Sequence, residues 1–427
     1  MHDVVVPRPA ELAHRTARTV VTALGPDGRP LADVDVVVAQ QRHAFGFGNI
    51  GFDLIPLANG EVEAGGSVFG GARADLLPVL AEQWLALFNT ATLPFYWRGF
   101  EPERGRPDTQ RLLRTARWFA DRGVELKGHP LAWHTLAPQW LDELSMDQVA
   151  EAVRARITRE VTDFAGLIDT WDAINEVVIM PVFDKEPNGL TRLAARDGRV
   201  ATARLAFETA HAANPAARLL LNDFDMSPRY EALIEECLAA GIRIDALGLQ
   251  SHMHQGYWGE QKTADVLGRF ARFGLPLHLT ETTLLSGDLM PADIVDLNDH
   301  QVPSWPSTPE GEARQADEVV RHYRTLVAHP AVQVVTYWGL SDDGSWLGAP
   351  AGLVRTDGTP KPAYDALLAL VKGEWWLPAT TVRTDADGRF GLDGYLGDYT
   401  VTAWGRHGAL TLSADRPAES VAVDEAV

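Results

Sequence analysis

The sequence predicts an α/β fold, a (β/α)₈ (TIM) barrel with a short strand-rich segment on either side. Two observations support the barrel. Short apolar runs bounded by turn residues alternate with amphipathic stretches of helical spacing. Eight such strand–helix units follow one another over roughly 330 residues, which is the count and length expected for this fold. A doubly wound open sheet is the alternative, but no glycine-rich dinucleotide turn follows the first strand.

The predicted elements follow in chain order. Each predicted strand is an apolar run that ends in polar or turn residues: 43–50, 88–94, 125–134, 170–176, 218–225, 246–254, 275–283 and 332–340. Helical spacing of apolar residues predicts helices near 74–87, 108–122, 147–165, 199–213, 229–240, 263–273, 311–328 and 361–372. The pattern is clearest at 200–211, where Leu205, Ala206 and Ala210 fall on one side.

The two flanks have a different pattern. Residues 19–38 and 381–403 each indicate a strand, a turn and a second strand, and neither flank alone has enough strands for a stable sheet. The segments Gly-Arg-Pro-Leu (28–31), Thr-Asp-Ala-Asp-Gly-Arg-Phe (384–390) and Gly-Asp-Tyr (397–399) resemble the carboxypeptidase-regulatory family of small β-sandwiches. We therefore predict one β-sandwich built from residues 1–42 and 374–427, with a barrel of residues 43–373 inserted. Two separate decorations are the alternative.

Composition and charge disfavour several classes of partner. The formal net charge of -20 repels the phosphates of nucleic acid and anionic membrane surfaces, whereas a neutral carbohydrate is compatible with it. The single cysteine, Cys237, excludes an internal disulfide and a cysteine-based metal cluster. No run reaches the length of a membrane span. The N-terminal residues lack the pattern of a secretory signal, so we expect a cytoplasmic protein, or a secreted one if a signal has been removed.

Two carboxylates at predicted strand ends are the strongest candidates for catalysis. Glu176 ends the run Thr-Trp-Asp-Ala-Ile-Asn-Glu, and Glu281 lies in Leu-Pro-Leu-His-Leu-Thr-Glu-Thr. The carboxyl ends of barrel strands meet at the face that carries active sites. Two such carboxylates can flank one glycosidic bond, where one acts as general acid and the other as nucleophile.

Motifs at the other strand ends support this interpretation. The third predicted strand ends in Lys-Gly-His-Pro-Leu-Ala-Trp-His (127–134) and the sixth in Gly-Leu-Gln-Ser-His (248–252). The eighth ends in Tyr-Trp-Gly (337–339), with Ser-Trp (345–346) just beyond and Lys-Pro-Ala-Tyr at 361–364. With the two glutamate segments, these motifs resemble glycoside hydrolase family 10, which is best known for β-1,4-xylanases. The resemblance runs from about Phe45 to Tyr364 in the family's order and spacing.

The resemblance implies a role for each of these residues. Glu176 would be the general acid/base and Glu281 the nucleophile of a retaining β-glycoside hydrolase. Asn175 would bind the sugar 2-hydroxyl, Gln250 would lie beside the acid/base, and His252 would hydrogen-bond the nucleophile. The other implied substrate-binding residues surround the catalytic sugar: His129, Trp133, His134, Trp338 and Trp346.

Further aromatic side chains follow the predicted second strand or lie on loops at the catalytic end. Tyr96 and Trp97 are candidates for substrate binding, and Trp258 and Trp305 are candidate pocket walls, because an aromatic face packs well against a sugar ring. The four histidines His129, His134, His252 and His254 raise the alternative of a metal site. The tryptophans between them suit a sugar better than an ion, so we predict no metal and no cofactor.

The chain departs from the family pattern at two places. After the second strand the family carries Glu-Asn-x-Met-Lys, whose polar groups hold sugars on the non-reducing side, whereas Leu93, Pro94 and Tyr96 stand here in a shorter segment. Three lost hydrogen bonds of roughly 0.5–1.5 kcal/mol each would weaken the binding of a xylan chain. Near the nucleophile, Thr283 replaces the aspartate of the family's Thr-Glu-Leu-Asp.

Three hypotheses follow. The first, which we favour, is a retaining β-glycosidase acting on small β-glycosides or oligosaccharides, and the second is an ordinary endo-1,4-β-xylanase acting on xylan. The third is a non-catalytic sugar-binding protein, which the retention of both glutamates and their polar neighbours disfavours. The sequence leaves open the sugar, the leaving group, endo or exo action and the oligomeric state.

Overall fold

The computed structural model describes residues 2–6, 9–61, 70–186 and 188–426. Its strands are β1 Asp3–Val5, β2 Thr16–Leu24, β3 Asp35–His43, β4 Gly46–Ile50, β5 Thr90–Pro94, β6 Glu125–His129, β7 Thr170–Asn175, β8 Arg218–Asp223, β9 Ala246–His252, β10 Leu277–Thr283, β11 Val332–Tyr337, β12 Thr380–Arg383, β13 Arg389–Tyr395, β14 Gly397–Ala403, β15 Arg406–Leu412, β16 Ala418–Ala422 and β17 Glu425–Ala426. Its α-helices are α1 Ile55–Asn59, α2 Leu77–Leu87, α3 Trp97–Phe100, α4 Thr109–Ala120, α5 Met146–Asp163, α6 Gly189–Asp197, α7 Arg199–Ala213, α8 Pro228–Ala239, α9 Gly259–Ala271, α10 Pro309–Ala328 and α11 Pro362–Ala369. Short 3₁₀ turns lie at Ala10–Arg15, Phe52–Leu54, Ala74–Leu76, Gln139–Glu143, Met180–Val182, Leu297–Asp299 and Trp346–Gly348, and a π-helical turn lies at Leu370–Glu374.

The chain forms two compact units, one of which is Phe47–Tyr364. In this unit eight parallel strands close into a barrel in the order β10-β11-β4-β5-β6-β7-β8-β9, which confirms the predicted (β/α)₈ fold. Both faces of such strands are covered, so they carry apolar runs: Leu219, Leu220 and Leu221 of β8 are completely buried. The carboxyl ends of all eight strands meet at one mouth.

Local sequence explains the helices around the barrel. At the start of α5, Ser145 accepts a hydrogen bond from the backbone N–H of Gln148, whose side chain accepts one from the Ser145 N–H. In α7, Ala206 and Ala210 are buried as predicted, whereas Leu205 is half-buried because the buried stripe is centred on the two alanines. In the described ranges, no helix is long and apolar enough to cross a membrane.

The predicted first barrel strand begins too early. His43 ends β3, where it pairs with Gly397, and a bend at Ala44 and Phe45 separates it from β4. Apolar alternation alone does not show that the chain leaves one sheet there and enters another. The barrel unit accordingly covers Phe47–Tyr364, compared with the predicted 43–373.

The second unit comprises the described residues up to Gly46 and from Asp365 onwards. It contains two sheets, of order β1-β13-β2-β16 and β12-β3-β14-β15-β17, and strands from both flanks of the chain pair with each other in each sheet. β2 pairs with β13 and β16, and β3 pairs with β12 and β14. Alternate side chains such as Val36, Val38, Phe390 and Leu392 are completely buried. Likeness to a carboxypeptidase-regulatory sandwich stays a prediction.

Candidate active site

Glu176 directly follows β7 at the mouth of the barrel. Its backbone φ is 56°, in the left-handed region that residues other than glycine rarely adopt. Its N–H donates to the carbonyl of Asn222 at 2.8 Å, and its Oε2 accepts a hydrogen bond of 2.8 Å from Trp133 Nε1. Strained conformations of this kind cluster at functional sites, where surrounding contacts hold them.

Two amides hold the other carboxylate oxygen of Glu176. Asn175 Nδ2 and Gln250 Nε2 each donate to Oε1 at 3.2 Å. Gln250 Nε2 also donates to Asn175 Oδ1 at 3.1 Å. The structure therefore brings Asn175 and Gln250, both named from the sequence, to the carboxylate.

Glu281 lies within β10 and is held from two directions. Its Oε2 is 3.1 Å from His252 Nε2, and its Oε1 accepts a hydrogen bond of 3.1 Å from Asn222 Nδ2. The Thr283 hydroxyl lies 3.2 Å from His252 Nδ1. A hydroxyl that donates to Nδ1 leaves the imidazole proton on Nε2, where it points at Glu281. Thr283 thus offers a hydrogen bond at the position of the family's aspartate, without the negative charge.

Asn222, near the end of β8, links Glu281 to Asn175, which in turn donates to the Glu176 carboxylate. Its Nδ2 donates to Glu281 Oε1 at 3.1 Å and to Asn175 Oδ1 at 2.7 Å, and its Oδ1 accepts from the Thr280 hydroxyl at 2.6 Å. The side chain is completely buried, so packing and three hydrogen bonds fix its position. Asn222 was not among the residues predicted from the sequence, although the polar pair Asn222 and Asp223 after the leucines of β8 repeats the Asn-Glu pair at the end of β7.

The two carboxyl groups have different pKa values. Burial and, next, the negative charge of Glu281 raise the pKa of Glu176 from 4.5 to about 8. Burial also acts to raise the pKa of Glu281, but contacts with His129 and His252 outweigh it, and the pKa of Glu281 is lowered. A protonated Glu176 and an ionised Glu281 therefore coexist near neutral pH.

A buried ion pair positions His129. Lys127 Nζ and His129 Nδ1 each lie 2.7 Å from Asp172 Oδ2. Burial acts to raise the pKa of Asp172, but Lys127 and His129 outweigh this effect and lower it. The other ring nitrogen, Nε2, faces Glu281 Oε1 at 3.9 Å. Lys127 and Asp172 lie in the sequence motifs of β6 and β7. Their residue types alone do not show that they form an ion pair that positions His129.

Aromatic rings form a wall beside His129. The ring centroid of Tyr96 lies 5.6 Å from that of His129, 5.6 Å from that of Trp133 and 5.9 Å from that of Phe52. Trp338 lies 5.3 Å from His129 and 5.8 Å from Phe52. The predicted pocket residues Tyr96, Trp133 and Trp338 therefore lie together around His129.

Trp346 and His134 are two further residues that the sequence predicts to bind substrate. The ring centroid of Trp346 lies 5.0 Å from that of His252. His134 is buried against Phe183, at 4.4 Å, and lies next to Trp133, at 6.2 Å. Burial lowers the pKa of His134 to about 3. Trp346 therefore contacts the histidine partner of Glu281, and His134 packs beside Trp133 and Phe183.

Trp97 contacts a different set of residues from the rings around His129, and its role in substrate binding stays a prediction. Its indole N–H donates to Glu101 Oε2 at 2.9 Å, and the guanidinium of Arg156 lies 4.7 Å from the centre of its ring. Trp140 packs edge-on at 5.5 Å. Only 5% of Trp97 is exposed, because α3 turns the side chain into the layer around Arg156.

A metal site is not evident in the part of the chain that the structure describes, where no group of three or more His, Cys, Asp or Glu residues could hold an ion. His129 and His252 face Glu281. His134 and His254 pack against aromatic rings. These surroundings suit a neutral, polyhydroxylated ligand.

Comparison with curated proteins finds xylanases. The chain is 26% identical over 294 residues to an endo-1,4-beta-xylanase of Geobacillus stearothermophilus, which covers 65% of this chain and 85% of that protein. It is 26% identical over 264 residues to endo-1,4-beta-xylanase B of Neocallimastix patriciarum, covering 58% of this chain. The chain spans only 27% of the length of that second relative.

Solved structures show the same fold. The crystal structure of xylanase 10B from Thermotoga petrophila RKU-1 in complex with xylobiose matches with a TM-score of 0.61 at 20% identity, over 77% of this chain and 95% of that one. The family 10 structure from Paenibacillus barcinonensis matches with a TM-score of 0.61 at 23% identity, with the same coverage of 77% and 95%. The family model of glycosyl hydrolase family 10 matches residues 90–370. The chain therefore belongs to glycosyl hydrolase family 10 and is a xylanase-like glycoside hydrolase.

Proposed function

We propose that the protein is a retaining β-glycoside hydrolase in which Glu176 is the general acid/base and Glu281 the nucleophile. The observation that carries this proposal is the opposite direction of their pKa shifts, with Glu176 raised to about 8 and Glu281 lowered. Double displacement needs two such groups side by side, a carboxylic acid that keeps its proton and an ionised carboxylate.

In the first step, the Glu281 carboxylate attacks the anomeric carbon while Glu176 gives its proton to the leaving-group oxygen. The glycosidic bond breaks, and a covalent glycosyl ester forms on Glu281. Asn222 and His252 hold the nucleophile through hydrogen bonds of 3.1 Å each. Trp133 donates to Glu176 and favours the carboxylate that forms as the proton leaves.

In the second step, the ionised Glu176 takes a proton from a water molecule that attacks the anomeric carbon. The ester bond breaks, and Glu281 leaves as a carboxylate, so both groups return to their starting states. Two inversions give net retention.

Proton NMR of the reaction mixture tests this directly: the first product must be the β-anomer, and a first product with the α-configuration would contradict the assignment.

For the substrate we propose small β-glycosides or oligosaccharides. Leu93 is completely buried, and Tyr96 is packed among aromatic rings beside His129. Neither offers the charged contacts that the family uses to hold further sugars on the non-reducing side. The test compares the rate of hydrolysis of xylan with that of an aryl β-xyloside, β-glucoside and arabinoside. We expect the protein to hydrolyse at least one of the aryl glycosides more efficiently than it hydrolyses xylan.

Hydrolysis of xylan by an ordinary endo-1,4-β-xylanase is the second candidate, because the curated relatives named above are xylanases. Efficient release of oligosaccharides from xylan would favour it. A non-catalytic sugar-binding protein is the third candidate. Turnover that disappears in Glu281→Ala would exclude that one.

A further inference from the structure

Asp223 ends β8 directly after Asn222, and its side chain is completely buried. Its Oδ2 accepts a hydrogen bond of 3.0 Å from the N–H of Val178, two residues past Glu176. Its Oδ1 accepts one of 3.0 Å from the N–H of Asp225 in its own loop. The two carboxylate oxygens therefore hold two neighbouring loops at the barrel mouth, and one of these loops carries Glu176.

The contact with Val178 helps to hold the turn that carries Glu176. The Asn222 carbonyl accepts from the N–H of Glu176 at 2.8 Å, and the Asp223 side chain accepts from the N–H of Val178. The carbonyl of Val178 is held as well, because Arg199 Nε of α7 donates to it at 2.7 Å. The last two residues of β8 thus fix the chain at Glu176 itself and again two residues later.

The backbone of Glu176 needs this support because its conformation is strained. Its φ of 56° lies in the left-handed region, which a residue with a side chain adopts only where surrounding contacts hold it. If the contacts after Glu176 were lost, the turn could relax and displace the carboxyl group from the leaving-group oxygen. A displacement of about 1 Å in a catalytic arrangement can lower a rate by about 10²-fold.

A carboxylate is an unusual choice for these backbone contacts. Among the described residues, no Lys, Arg or His forms an ion pair with Asp223, and a buried charge without a counter-ion is unfavourable. Burial raises the pKa of Asp223 to about 7, although the N–H groups of Val178 and Asp225 act to lower it. Asparagine has almost the same shape and would accept one of these hydrogen bonds with no charge to bury. The charge itself therefore calls for an explanation.

The negative charge of Asp223 acts on Glu176. It is one of the influences that raise the pKa of Glu176, after burial and the charge of Glu281. In the proposed mechanism Glu281 becomes a neutral ester after the first step, whereas Asp223 forms no bond and its charge remains. The charge of Asp223 would thus favour the protonated acid in the first step and a more basic carboxylate in the second.

The other ionisable groups near these two carboxyl groups differ from Asp223 in charge or in pairing. Tyr96 and Tyr230 of α8 keep their protons, because burial raises their pKa values further above the usual range of a tyrosine. Asp225 forms an ion pair with Arg229 at 2.8 Å, and Arg199 binds the Val178 carbonyl. Two negative charges, those of Glu281 and Asp223, raise the pKa of Glu176.

We propose that Asp223 is a positioning residue for Glu176, whose turn it holds through Val178 and whose protonated form its negative charge favours. This inference rests on the proposed acid/base role of Glu176. Asp223 does not touch the substrate and gives it no proton. The side chains of adjacent residues thus serve the two candidate catalytic groups separately: Asn222 holds Glu281, and Asp223 holds the turn of Glu176.

The test is Asp223→Asn, which keeps the shape of the side chain and removes its charge and one acceptor oxygen. The variant and the unmodified protein are assayed on phenyl, 4-nitrophenyl and 2,4-dinitrophenyl β-xylosides and on the corresponding glucosides. Departure of phenol needs more assistance from an acid than departure of dinitrophenol. We expect kcat/KM to fall about tenfold or more on the phenyl glycosides and less than about threefold on the dinitrophenyl glycosides. Equal losses on all of them would indicate a merely structural role and overturn the inference.

The pH profile tests the effect of the charge. The basic limb of kcat/KM follows the loss of the proton from Glu176. Because removal of a neighbouring negative charge makes that loss easier, the limb should move to lower pH in Asp223→Asn, by roughly half a unit or more. A limb that stays in place or moves up would overturn the inference.

A second variant, Asp223→Glu, keeps the charge but changes the length of the side chain. It should keep the basic limb near its original pH and still lower kcat/KM more on the phenyl than on the dinitrophenyl glycosides, because the turn of Glu176 is displaced. Circular dichroism shows whether each variant is folded. If Asp223→Asn does not fold, Asp223→Glu decides alone, and equal losses on all leaving groups or a limb at lower pH would overturn the inference.

The matched control is Asp245→Asn. Asp245 Oδ2 accepts a hydrogen bond of 2.9 Å from the N–H of Leu219, near the other end of β8, so this control also removes the charge of a carboxylate that binds a backbone N–H. It should change kcat/KM less than about twofold on every aryl glycoside and leave the basic limb in place. A limb that moves down as far as in Asp223→Asn would overturn the specific role of Asp223.

Failure of the proposed function would look different. If the unmodified protein hydrolyses none of these aryl glycosides, acid/base catalysis by Glu176 on them is refuted, and Asp223 is judged by titration alone. Carbon-13 NMR of protein labelled at the glutamate carboxyl carbons follows the ionisation of Glu176, whose signal is the one missing in Glu176→Gln. A lower pKa of Glu176 in Asp223→Asn but not in Asp245→Asn would support the charge effect, and an unchanged pKa would overturn it.

Discussion

Asn222 Nδ2 lies 3.1 Å from Glu281 Oε1, although the two residues belong to β8 and β10, which are separated by β9 in the barrel. The contact is possible because side chains at the strand ends of a closed barrel point toward a common centre. The same amide nitrogen donates to Asn175 Oδ1 at 2.7 Å. One buried amide therefore sets the position of the candidate nucleophile relative to the neighbour of the candidate acid.

Asn222→Ala should lower kcat/KM on an aryl glycoside roughly 10- to 100-fold, because a buried hydrogen bond to a charged group contributes about 1.5–3 kcal/mol. The matched control is Asn214→Ala, which removes side-chain contacts with Asp169 and the Val161 carbonyl outside the candidate site. That control should keep kcat/KM even if its melting temperature falls. Similar kinetic losses in both variants would contradict the role of Asn222.

Glu176→Ala should abolish cleavage of glycosides with poor leaving groups but keep much of the activity on activated aryl glycosides, because only acid-assisted departure is lost. Glu281→Ala should abolish cleavage of both classes by several orders of magnitude. Azide should rescue that variant and give a product of inverted configuration. If both variants lose the same activity on both classes of substrate, the assignment of the two roles is wrong.

The pH dependence of kcat/KM should be bell-shaped. Glu176 must carry its proton, so activity falls as pH rises through about 8. Glu281 must be ionised, and its lowered pKa places the acid limb below the usual range of a glutamate. Trp133→Phe removes a hydrogen bond that favours the ionised form of Glu176, so the basic limb should move to higher pH. Trp404→Phe, a change at an exposed turn, should leave the profile in place, and a limb that moves down in Trp133→Phe would contradict the argument.

Catalytic efficiency should stop rising after one or two sugar units on the non-reducing side. The resemblance places Leu93 and Tyr96 where polar groups of the family hold further sugars, so we expect longer chains to gain little binding energy that could lower the barrier. The measurement compares kcat/KM for aryl glycosides of increasing chain length, from xyloside to xylotetraoside. A steep, continued gain with length would mean that the cleft is open and that xylan is the natural substrate.

Deleting residues 1–42 or 374–427 should destabilise the smaller unit to a similar extent, lowering its melting temperature by roughly 5 °C or more. Each deletion leaves unpaired strand edges, because β2 pairs with β13 and β3 with β14. Removal of the last strand, β17, is the control, since it pairs with β15 at only Arg406 and His407. A large effect of one long deletion and none of the other would contradict a shared fold.

The sequence alone determined the fold class and the candidate catalytic pair. Eight alternating units predict a closed barrel because buried parallel strands must be apolar and must be followed by helices. Glu176 and Glu281 could be named because a polar residue at the carboxyl end of such a strand lies at the barrel mouth. The resemblance to glycoside hydrolase family 10 named Asn175, Gln250 and His252, which lie at or near the ends of buried strands.

Only the tertiary structure decided which polar groups meet. Asn222, Lys127 and Asp172 look like ordinary strand residues in the sequence, and their roles depend on hydrogen bonds between strands that are distant along the chain. Trp97 is a further example: its position after β5 predicts a pocket wall, and only the structure shows that it packs against Arg156 and Trp140. Local patterns encode burial and strand direction, whereas partner choice and side-chain orientation depend on the three-dimensional packing of many elements, which one local pattern does not contain.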